Sequence, residues 1–197
     1  MEHRDAPAGK ATKYARVERE RRFLLRRVPD GPCLRRAEIT DLYLFGTRLR
    51  LRRTVETTAA ATTTVRKLTQ KVPAPAGGPG LITTLYLDEA EYEALSVLPG
   101  AGLTKTRYSM PPLGVDVFRG ALSGVVMGEI EFETADQEAA FPGLAGSALE
   151  VTIDGRFAGG RLAVTNRPEL LALLAALDLE PLDGSGLAVR PLSPIPE

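Results

Sequence analysis

Charged residues stand two or four positions apart in four short segments of this chain: residues 18–22, 48–52, 67–71 and 129–133. Side chains of a β-strand point alternately to its two faces, so each segment would gather its charges on one face of a strand. Two of these faces would be cationic and one anionic, whereas the first combines Glu18 and Glu20 with Arg22. The pattern predicts four β-strands, each with a charged face that the fold must accommodate.

These charged faces have two interpretations. Alternating strands usually expose their polar face to water, which would make the charges an outer surface. However, like charges two positions apart on one face lie roughly 7 Å from each other and repel unless a counter-charge intervenes. Arg48, Arg50 and Arg52 form such a row, as do the three glutamates of residues 129–133. The rows therefore favour a shared interior in which opposite charges meet.

The distribution of charge along the chain leaves two alternatives open. The net charge is zero, but residues 1–71 hold 18 basic against eight acidic residues, and residues 72–197 hold seven against 17. This asymmetry indicates either a nucleic-acid patch beside an acidic region or two halves whose opposite charges face each other in space.

Other residue types limit the possible functions. Cys33 is the only cysteine, which excludes an internal disulfide framework and a cysteine-based zinc cage. The only histidine is His3, near the start of the chain, so histidine catalysis is not expected. No apolar run approaches the roughly 18 residues of a membrane span, and no secretory signal is present. We therefore expect a cytoplasmic protein without a membrane partner.

Strand patterns dominate the chain. They fall at residues 16–28, 37–45, 47–56, 63–72, 81–87, 103–110, 114–119, 123–133 and 148–153. Helices are predicted at residues 89–98, 134–140 and 167–177. Many hairpin-linked strands with few helices favour an α+β, mainly β fold, a closed or nearly closed antiparallel barrel with peripheral helices. One domain is expected at 14–180, between a disordered tail at 1–13 and a Pro/Gly-rich tail at 181–197.

The charged residues suit one class of ligand. Arginine binds phosphate oxygens through two parallel donors, and lysine acts as a compact point charge. Carboxylates without a soft ligand nearby favour a hard cation such as Mg²⁺ or Mn²⁺. An interior that combines both groups would bind a polyphosphate together with a divalent metal.

Several segments resemble one family. Residues 18–23 (Glu-Arg-Glu-Arg-Arg-Phe) resemble the ExExK signature that opens the CYTH domain of the triphosphate tunnel metalloenzymes. Residues 49–52 (Leu-Arg-Leu-Arg) are similar to the family's arginine strand, and residues 68–71 (Leu-Thr-Gln-Lys) to its lysine strand. Three further segments follow in the family's order: residues 105–107, 115–118 and 129–132. Together the matches span about residues 14–165, most of the chain.

The resemblance implies an eight-stranded antiparallel tunnel that binds a triphosphate inside. Members hydrolyse inorganic triphosphate, thiamine triphosphate or nucleoside triphosphates, and some make cyclic AMP from ATP. The implied ligands of Mg²⁺ or Mn²⁺ are Glu18, Glu20, Glu129 and Glu131, with Asp116 as a further candidate. The implied catalytic residues are Glu18, Glu20, Arg22, Glu129 and Glu131. The implied phosphate-binding residues are Arg50, Arg52, Lys71 and Arg107.

One position departs from the family's pattern. Arg22 stands where the signature has lysine. Arginine keeps the charge, but its guanidinium is larger, planar and unable to donate a proton near neutral pH. If the lysine of the family's signature positions the reacting phosphate or water closely, we expect Arg22 to alter the activity of this chain or to slow it.

Some residues at the edges of these patterns keep two interpretations. Asp116 either joins the metal ligands or only ends a hairpin strand. The outer members of the charged faces are interior or solvated: Arg48, Lys67, Lys105 and Glu133. Arg156 is a candidate for the mouth of the tunnel.

Two classes of function compete. The first is a metal-dependent triphosphate hydrolase, and the low aromatic content, with no tryptophan, favours inorganic triphosphate over a substrate with a stacked base. The second is a non-catalytic polyphosphate- or RNA-binding module that uses the basic N-terminal half. RNA binding is disfavoured because exposed basic residues are not interleaved with aromatic ones. An adenylate cyclase would need an adenine pocket, which the sequence does not reveal. The sequence leaves the oligomeric state open.

Overall fold

The computed structural model describes residues 14–72, 80–183 and 192. This part of the chain contains ten β-strands, which occupy most of the segments predicted to be extended. The strands are β1 (Arg16–Glu18), β2 (Glu20–Leu25), β3 (Arg35–Leu44), β4 (Leu49–Thr57), β5 (Thr62–Val72), β6 (Gly80–Leu87), β7 (Gly100–Met110), β8 (Leu113–Phe118), β9 (Val126–Glu131) and β10 (Ser147–Glu150).

Four short helices lie between or after the strands. They are α1 (Glu89–Ser96), α2 (Ala135–Ala140), α3 (Gly159–Leu162) and α4 (Arg167–Ala175). The three longer ones begin at Asp88, Thr134 and Asn166, and each N-cap side chain accepts a hydrogen bond from the third helical residue, whose own side chain bonds back to the N-cap. These capping signals explain why the predicted helix starts are confirmed.

All ten strands belong to one antiparallel sheet. Its hydrogen-bonded order is β1-β6-β5-β4-β3-β7-β8-β9-β2-β10. Strands β1 and β2 are separated only by Arg19, yet β1 pairs with β6 and β2 pairs with β9. The segment 16–25 therefore contacts two strands that lie six places apart in the order of the sheet.

The strand count differs from the predicted eight for two reasons. The first predicted strand is divided at Arg19, and β10 pairs with β2 beyond the strands implied by the resemblance. The order also has two ends, β1 and β10. The structure thus shows a mainly β, antiparallel fold with few helices, and closure into a barrel stays a prediction.

Two apolar clusters stabilise the two faces of the sheet. On the inner face, side chains of β2, β7, β8 and β9 pack with the segment that follows β10. The buried members of this inner cluster are Leu24, Leu103, Phe118, Leu122, Val125, Met127, Val151, Phe157, Leu162, Leu170 and Leu174. On the outer face, Phe23, Val115 and Ile130 pack with Phe132 and Phe141. Burial on both faces fixes the register, because a shift by one residue would exchange the faces.

The chain ends are described only in part. The predicted tail at 1–13 lies outside the described residues, as does most of the tail at 181–197. Within the latter, the Leu182 amide donates to the Gly124 carbonyl at 2.8 Å, and Leu192 forms an isolated bridge with Cys33. In the described part of the chain, every helix is too short or too polar to span a bilayer. The cytoplasmic location stays a prediction.

Candidate functional site

A cavity of about 310 Å³ opens on the inner face of the sheet, and we call it the charged cavity. Residues from β1 to β9 line it. Nine residues that the sequence analysis assigned to one interior are among them: Glu18, Glu20, Arg22, Arg50, Arg52, Lys71, Arg107, Glu129 and Glu131. The structure brings these nine together from six strands. These faces therefore line a shared cavity, while several of their members, such as Lys71 and Glu131, also remain exposed to solvent.

The strand register explains how the acidic faces meet. Strand β2 runs antiparallel to β9, with Glu20 opposite Glu131 and Arg22 opposite Glu129. Directly opposed residues on one face have β-carbons about 5 Å apart. Glu131 is exposed at the rim, whereas Glu129 is more deeply placed. The mixed face of residues 18–22 and the anionic face of residues 129–133 thus form one wall of the charged cavity.

Asp41 organises the arginines of β4. Its carboxylate accepts two hydrogen bonds from Arg52, at 2.6 and 2.7 Å, and lies 3.7 Å from Nε of Arg50. The Asp41 side chain has no exposed surface. Burial alone would raise the pKa of this carboxyl, but Arg52 and Arg50 hold the pKa below its ordinary value. The sequence analysis missed Asp41, although its alternation with Ile39 and Tyr43 in β3 is the signal that would have found it.

A second group of charges surrounds Arg107. Its guanidinium donates to both oxygens of Asp116, at 2.7 and 2.6 Å, and also contacts Glu129. Lys105 donates to Asp116 as well. Burial opposes ionisation of Glu129, yet Arg107, Lys105 and Lys71 bring its pKa below the ordinary range. Paired carboxylates therefore relieve the cationic repulsion that the sequence pattern implied.

Asp116 is buried behind the lining of the charged cavity. Its side chain is fully buried, and both carboxylate oxygens accept bonds from Lys105 and Arg107. It is not part of the cavity lining. In this structure Asp116 is a counter-charge to Arg107 and Lys105, and its role as a metal ligand stays a prediction.

Glu18, Glu20 and Lys71 form another charged group in the lining of the charged cavity. Nζ of Lys71 lies 2.7 Å from Glu18 and 3.9 Å from Glu20. The pKa of Glu20 is raised, first by burial and then by repulsion from Glu129 and Glu18, despite the opposing effects of Lys71 and Arg22. Burial therefore disfavours the charged form of Glu20, and the two neighbouring carboxylates add to this effect.

The donor chemistry of this part of the cavity suits a divalent cation. Glu18, Glu20, Glu129 and Glu131 offer only carboxylate oxygens, the ligands that Mg²⁺ and Mn²⁺ prefer. Among the described residues, however, no three acidic, histidine or cysteine side chains converge closely enough to hold a metal by themselves. The fit is that of a cation held by one or two carboxylates and completed by oxygens of a bound ligand.

Arg22 has its terminal nitrogens occupied. Nη1 donates to the carbonyl of Phe157 at 2.9 Å, and Nη2 donates to the carbonyl of Thr152 at 2.8 Å. Nε lies 3.7 Å from Glu20 and is buried without a hydrogen-bond partner. The catalytic role implied by the resemblance therefore has to be reconsidered, because main-chain groups already bind the guanidinium.

The residues with two interpretations divide between interior and surface. Lys67 lines the charged cavity, and Lys105 lines it while buried beside Asp116. Arg48 and Glu133 are exposed. Arg156 pairs with Asp154 at 2.7 Å. It lines neither the charged cavity nor the adjoining cavity that is described next. The placement of Arg156 at a tunnel mouth stays a prediction.

A second cavity of about 690 Å³, which we call the vestibule, adjoins the charged cavity. The two share Tyr43, Arg50 and Gly159 among their lining residues. The vestibule is more apolar, with contributions from Leu44, Phe45, Leu49, Leu81 and Val164. Tyr43 packs so closely against Gly159 that a β-carbon there would overlap its hydroxyl. The sequence analysis did not identify this vestibule.

Comparisons with known proteins find similarity to solved structures. No protein-family model matches the chain, and no curated protein sequence matches it significantly. The solved structure of the inorganic triphosphatase NE1496 is similar, with a TM-score of 0.50 and 26% identity over 76% of this chain and 95% of the other. A structure described as the hypothetical protein NE1496 has a TM-score of 0.51 and 27% identity over 76% and 99%. The chain has a fold similar to that of a protein named an inorganic triphosphatase.

Proposed function

We propose that this protein is a metal-dependent triphosphate hydrolase of the triphosphate tunnel metalloenzyme class, with a CYTH-like domain at residues 14–180. The observation that carries the proposal is the charged cavity, where nine residues from six strands combine four carboxylates with five cationic side chains. The similarity to the inorganic triphosphatase NE1496 supports the same class of function. The substrate is inorganic triphosphate or a small organic triphosphate.

The strand pairing supports a tunnel architecture. Counting β1 and β2 as one strand interrupted at Arg19, eight strands surround the charged cavity, and the same strand pairs with β6 at one end and β9 at the other. A sheet that curves back onto its first strand gives each phosphate group cationic neighbours on several sides. The tenth strand, β10, then lies outside this ring.

The cationic residues bind the phosphate chain. Arg50, Arg52, Lys71 and Arg107 surround the cavity with charge-assisted donors, and a triphosphate would accept bonds from several of them at once. Asp41 and Asp116 hold Arg52 and Arg107 in fixed orientations, so little side-chain entropy is lost when substrate binds. Preorganised donors of this kind also stabilise charge that develops during phosphoryl transfer.

The carboxylates complete the site. One or two of the carboxylates of Glu18, Glu20, Glu129 and Glu131 would hold Mg²⁺ or Mn²⁺ together with phosphate oxygens of the substrate. A bound divalent cation supplies charge neutralisation and lowers the pKa of a coordinated water. The protein's own contribution is to orient the triphosphate between the arginines and the carboxylates and to limit access of bulk water.

The vestibule favours an organic triphosphate as a second candidate substrate. Its apolar residues adjoin the charged cavity at Arg50 and Tyr43, so a triphosphate bound to Arg50 would direct an attached organic group toward Phe45 and Leu81. Inorganic triphosphate would leave this apolar surface without a ligand. The vestibule thus favours the organic alternative over the preference that the low aromatic content gave.

Phosphate release tests the proposal directly. We would incubate the protein with inorganic triphosphate and with nucleoside and thiamine triphosphates, each with Mg²⁺, with Mn²⁺ or with EDTA. We expect turnover only with metal, and its loss in Glu129→Gln and Glu131→Gln. Glu133→Gln is the matched control, because Glu133 is exposed and outside the cavity lining.

The competing binding function predicts a different result. Tight, metal-dependent binding of triphosphate without release of phosphate from any compound in the panel would favour a polyphosphate-binding module. Equal turnover in EDTA, with contaminating enzymes excluded, would overturn the metal-dependent mechanism. A preference for thiamine or nucleoside triphosphate over inorganic triphosphate would select the organic alternative.

A further inference from the structure

Arg22 connects the inner wall of β2 to the segment that crosses the cavity. We call residues 151–162 the covering segment. Besides the two guanidinium bonds to its carbonyls, the main-chain amide of Arg22 donates to Oγ1 of Thr152 at 3.0 Å, and the amide of Val151 donates to the Arg22 carbonyl at 2.8 Å. Four hydrogen bonds thus join one residue to three positions of the covering segment.

The covering segment forms walls of both cavities. Thr152, Ala158 and Gly160 contribute to the vestibule, Phe157 contributes to the charged cavity, and Gly159 contributes to both. Phe157 is 1% exposed and belongs to the inner apolar cluster. The position of this segment therefore sets the shape of the space beside Arg50 and Glu20.

The side chain is suited to this connection in a way that lysine is not. A guanidinium presents several donors in a fixed plane, so two of its nitrogens can serve two separate carbonyl oxygens at the same time. Here the two carbonyls belong to residues five positions apart, Thr152 and Phe157. A lysine ammonium is a single centre on a flexible stem and would satisfy these two carbonyls poorly.

We propose that Arg22 is a positioning residue, which anchors the covering segment across the cavity by binding the carbonyls of Thr152 and Phe157. It acts on the ligand through the wall that it holds and through Glu20, which lies 3.7 Å from its Nε. Arginine at this position is thus a structural requirement of this chain, and lysine does not substitute for it.

Hydrogen exchange tests the anchor without relying on activity. In Arg22→Lys and Arg22→Ala, we expect the protected amides of residues 157–165 to exchange about tenfold faster than in the wild type, which corresponds to a loss of about 1.4 kcal/mol of local protection. Amides of β4 and β5 should keep their exchange rates. Arg53→Lys, on an exposed position of β4, is the matched control and should change neither region.

Kinetics separate positioning from direct catalysis, and only this arm rests on the proposed triphosphatase function. A loosened wall should raise KM for triphosphate several-fold with kcat little changed, and equally for lysine and alanine. If Arg22 touches the reacting phosphate, Arg22→Lys should instead lower kcat, or raise it, with unchanged hydrogen exchange. That combination would overturn the proposal. If wild type hydrolyses no triphosphate, the exchange experiment still decides whether the anchor exists.

Discussion

The two ends of the inner face of the sheet differ sharply although they lie on the same strands. On β7, Leu103 and Lys105 are two positions apart and point to the same side, yet Leu103 packs in the apolar cluster while Lys105 binds Asp116. On β9, Met127 and Glu129 make the same contrast. A single strand can therefore contribute to an apolar core and to the charged cavity with side chains only two positions apart.

The difference lies in what each end contacts. At the apolar end, Phe157, Leu162, Leu170 and Leu174 fill the space between the strands. At the charged end, the side chains face one another across a cavity and satisfy their charges in pairs. The comparison teaches that the packed end is held by apolar contacts, whereas the charged end is held by ion pairs around a cavity.

The largest effect on stability is expected from Phe157→Ala in the packed end. Removing a fully buried phenyl ring leaves a cavity and should lower the free energy of unfolding by about 4 kcal/mol. Urea denaturation measures this change. Ile153→Ala is the matched control four residues away, because Ile153 is 97% exposed and should change stability little. Equal effects of the two variants would contradict the assignment of the apolar end as the core.

The next largest effect should come from Asp41→Asn at the charged end. Arg52 and Arg50 would lose their counter-charge, and breaking a buried pair costs about 3 kcal/mol. The pKa of Asp41 is lowered, so its contribution is fully present above its ordinary value of 3.8 and is lost as the pH falls through the lower folded value. The difference in the free energy of unfolding between variant and wild type should therefore be large at pH 7 and shrink in acid. A difference that does not depend on pH would contradict this role.

The variants Arg52→Ala and Arg50→Ala compare two neighbours on one face. Arg52 makes two hydrogen bonds to Asp41, whereas Nε of Arg50 is buried without a hydrogen-bond partner. We expect Arg52→Ala to lower the unfolding free energy by about 1–3 kcal/mol and Arg50→Ala to leave it unchanged or slightly higher. Both should raise KM for triphosphate, because both line the charged cavity.

Melting curves with and without triphosphate check this pair. Triphosphate should raise the Tm of the wild type, because it binds only the folded state, and should raise the Tm of either variant less. If Arg50→Ala is as destabilised as Arg52→Ala, the unequal pairing with Asp41 is not energetically important.

Much of this arrangement could be predicted from the sequence, because alternation is a local property. The charged faces of β1, β2, β4 and β9 follow directly from residues two positions apart, and capping residues such as Asp88 mark the helix starts. The number of strands agrees with the eight implied by the resemblance, apart from the division at Arg19 and the added β10.

The rest depends on contacts between distant parts of the chain. Asp41 looks like an ordinary polar residue of a strand until Arg52 is placed opposite it. The binding of Arg22 to Thr152 and Phe157 joins residues 130 and 135 positions apart, which no local pattern reveals. The covering segment and the vestibule likewise arise only when the region after β10 folds across the inner face.

The smallest effect is expected from Glu20→Gln, which tests whether the charged end favours a cation. The pKa of Glu20 is raised above its ordinary value of 4.5, so the fold favours its protonated form, and stability is lost as the pH rises through the folded pKa. The variant removes this loss and should melt about 1–2 °C higher than the wild type at pH 7 and metal-free, a difference of less than about 1 kcal/mol.

Mg²⁺ together with triphosphate should reverse the order of the two melting temperatures, so that the wild type melts higher than Glu20→Gln. The cation would neutralise Glu20 in the wild type, whose Tm should then rise more than that of Glu20→Gln. Glu133→Gln serves again as the exposed control and should follow the wild type. If metal and triphosphate raise the Tm of Glu20→Gln as much as that of the wild type, Glu20 does not share in binding the cation. Glu129 would still orient Arg107, because the two side chains contact each other directly.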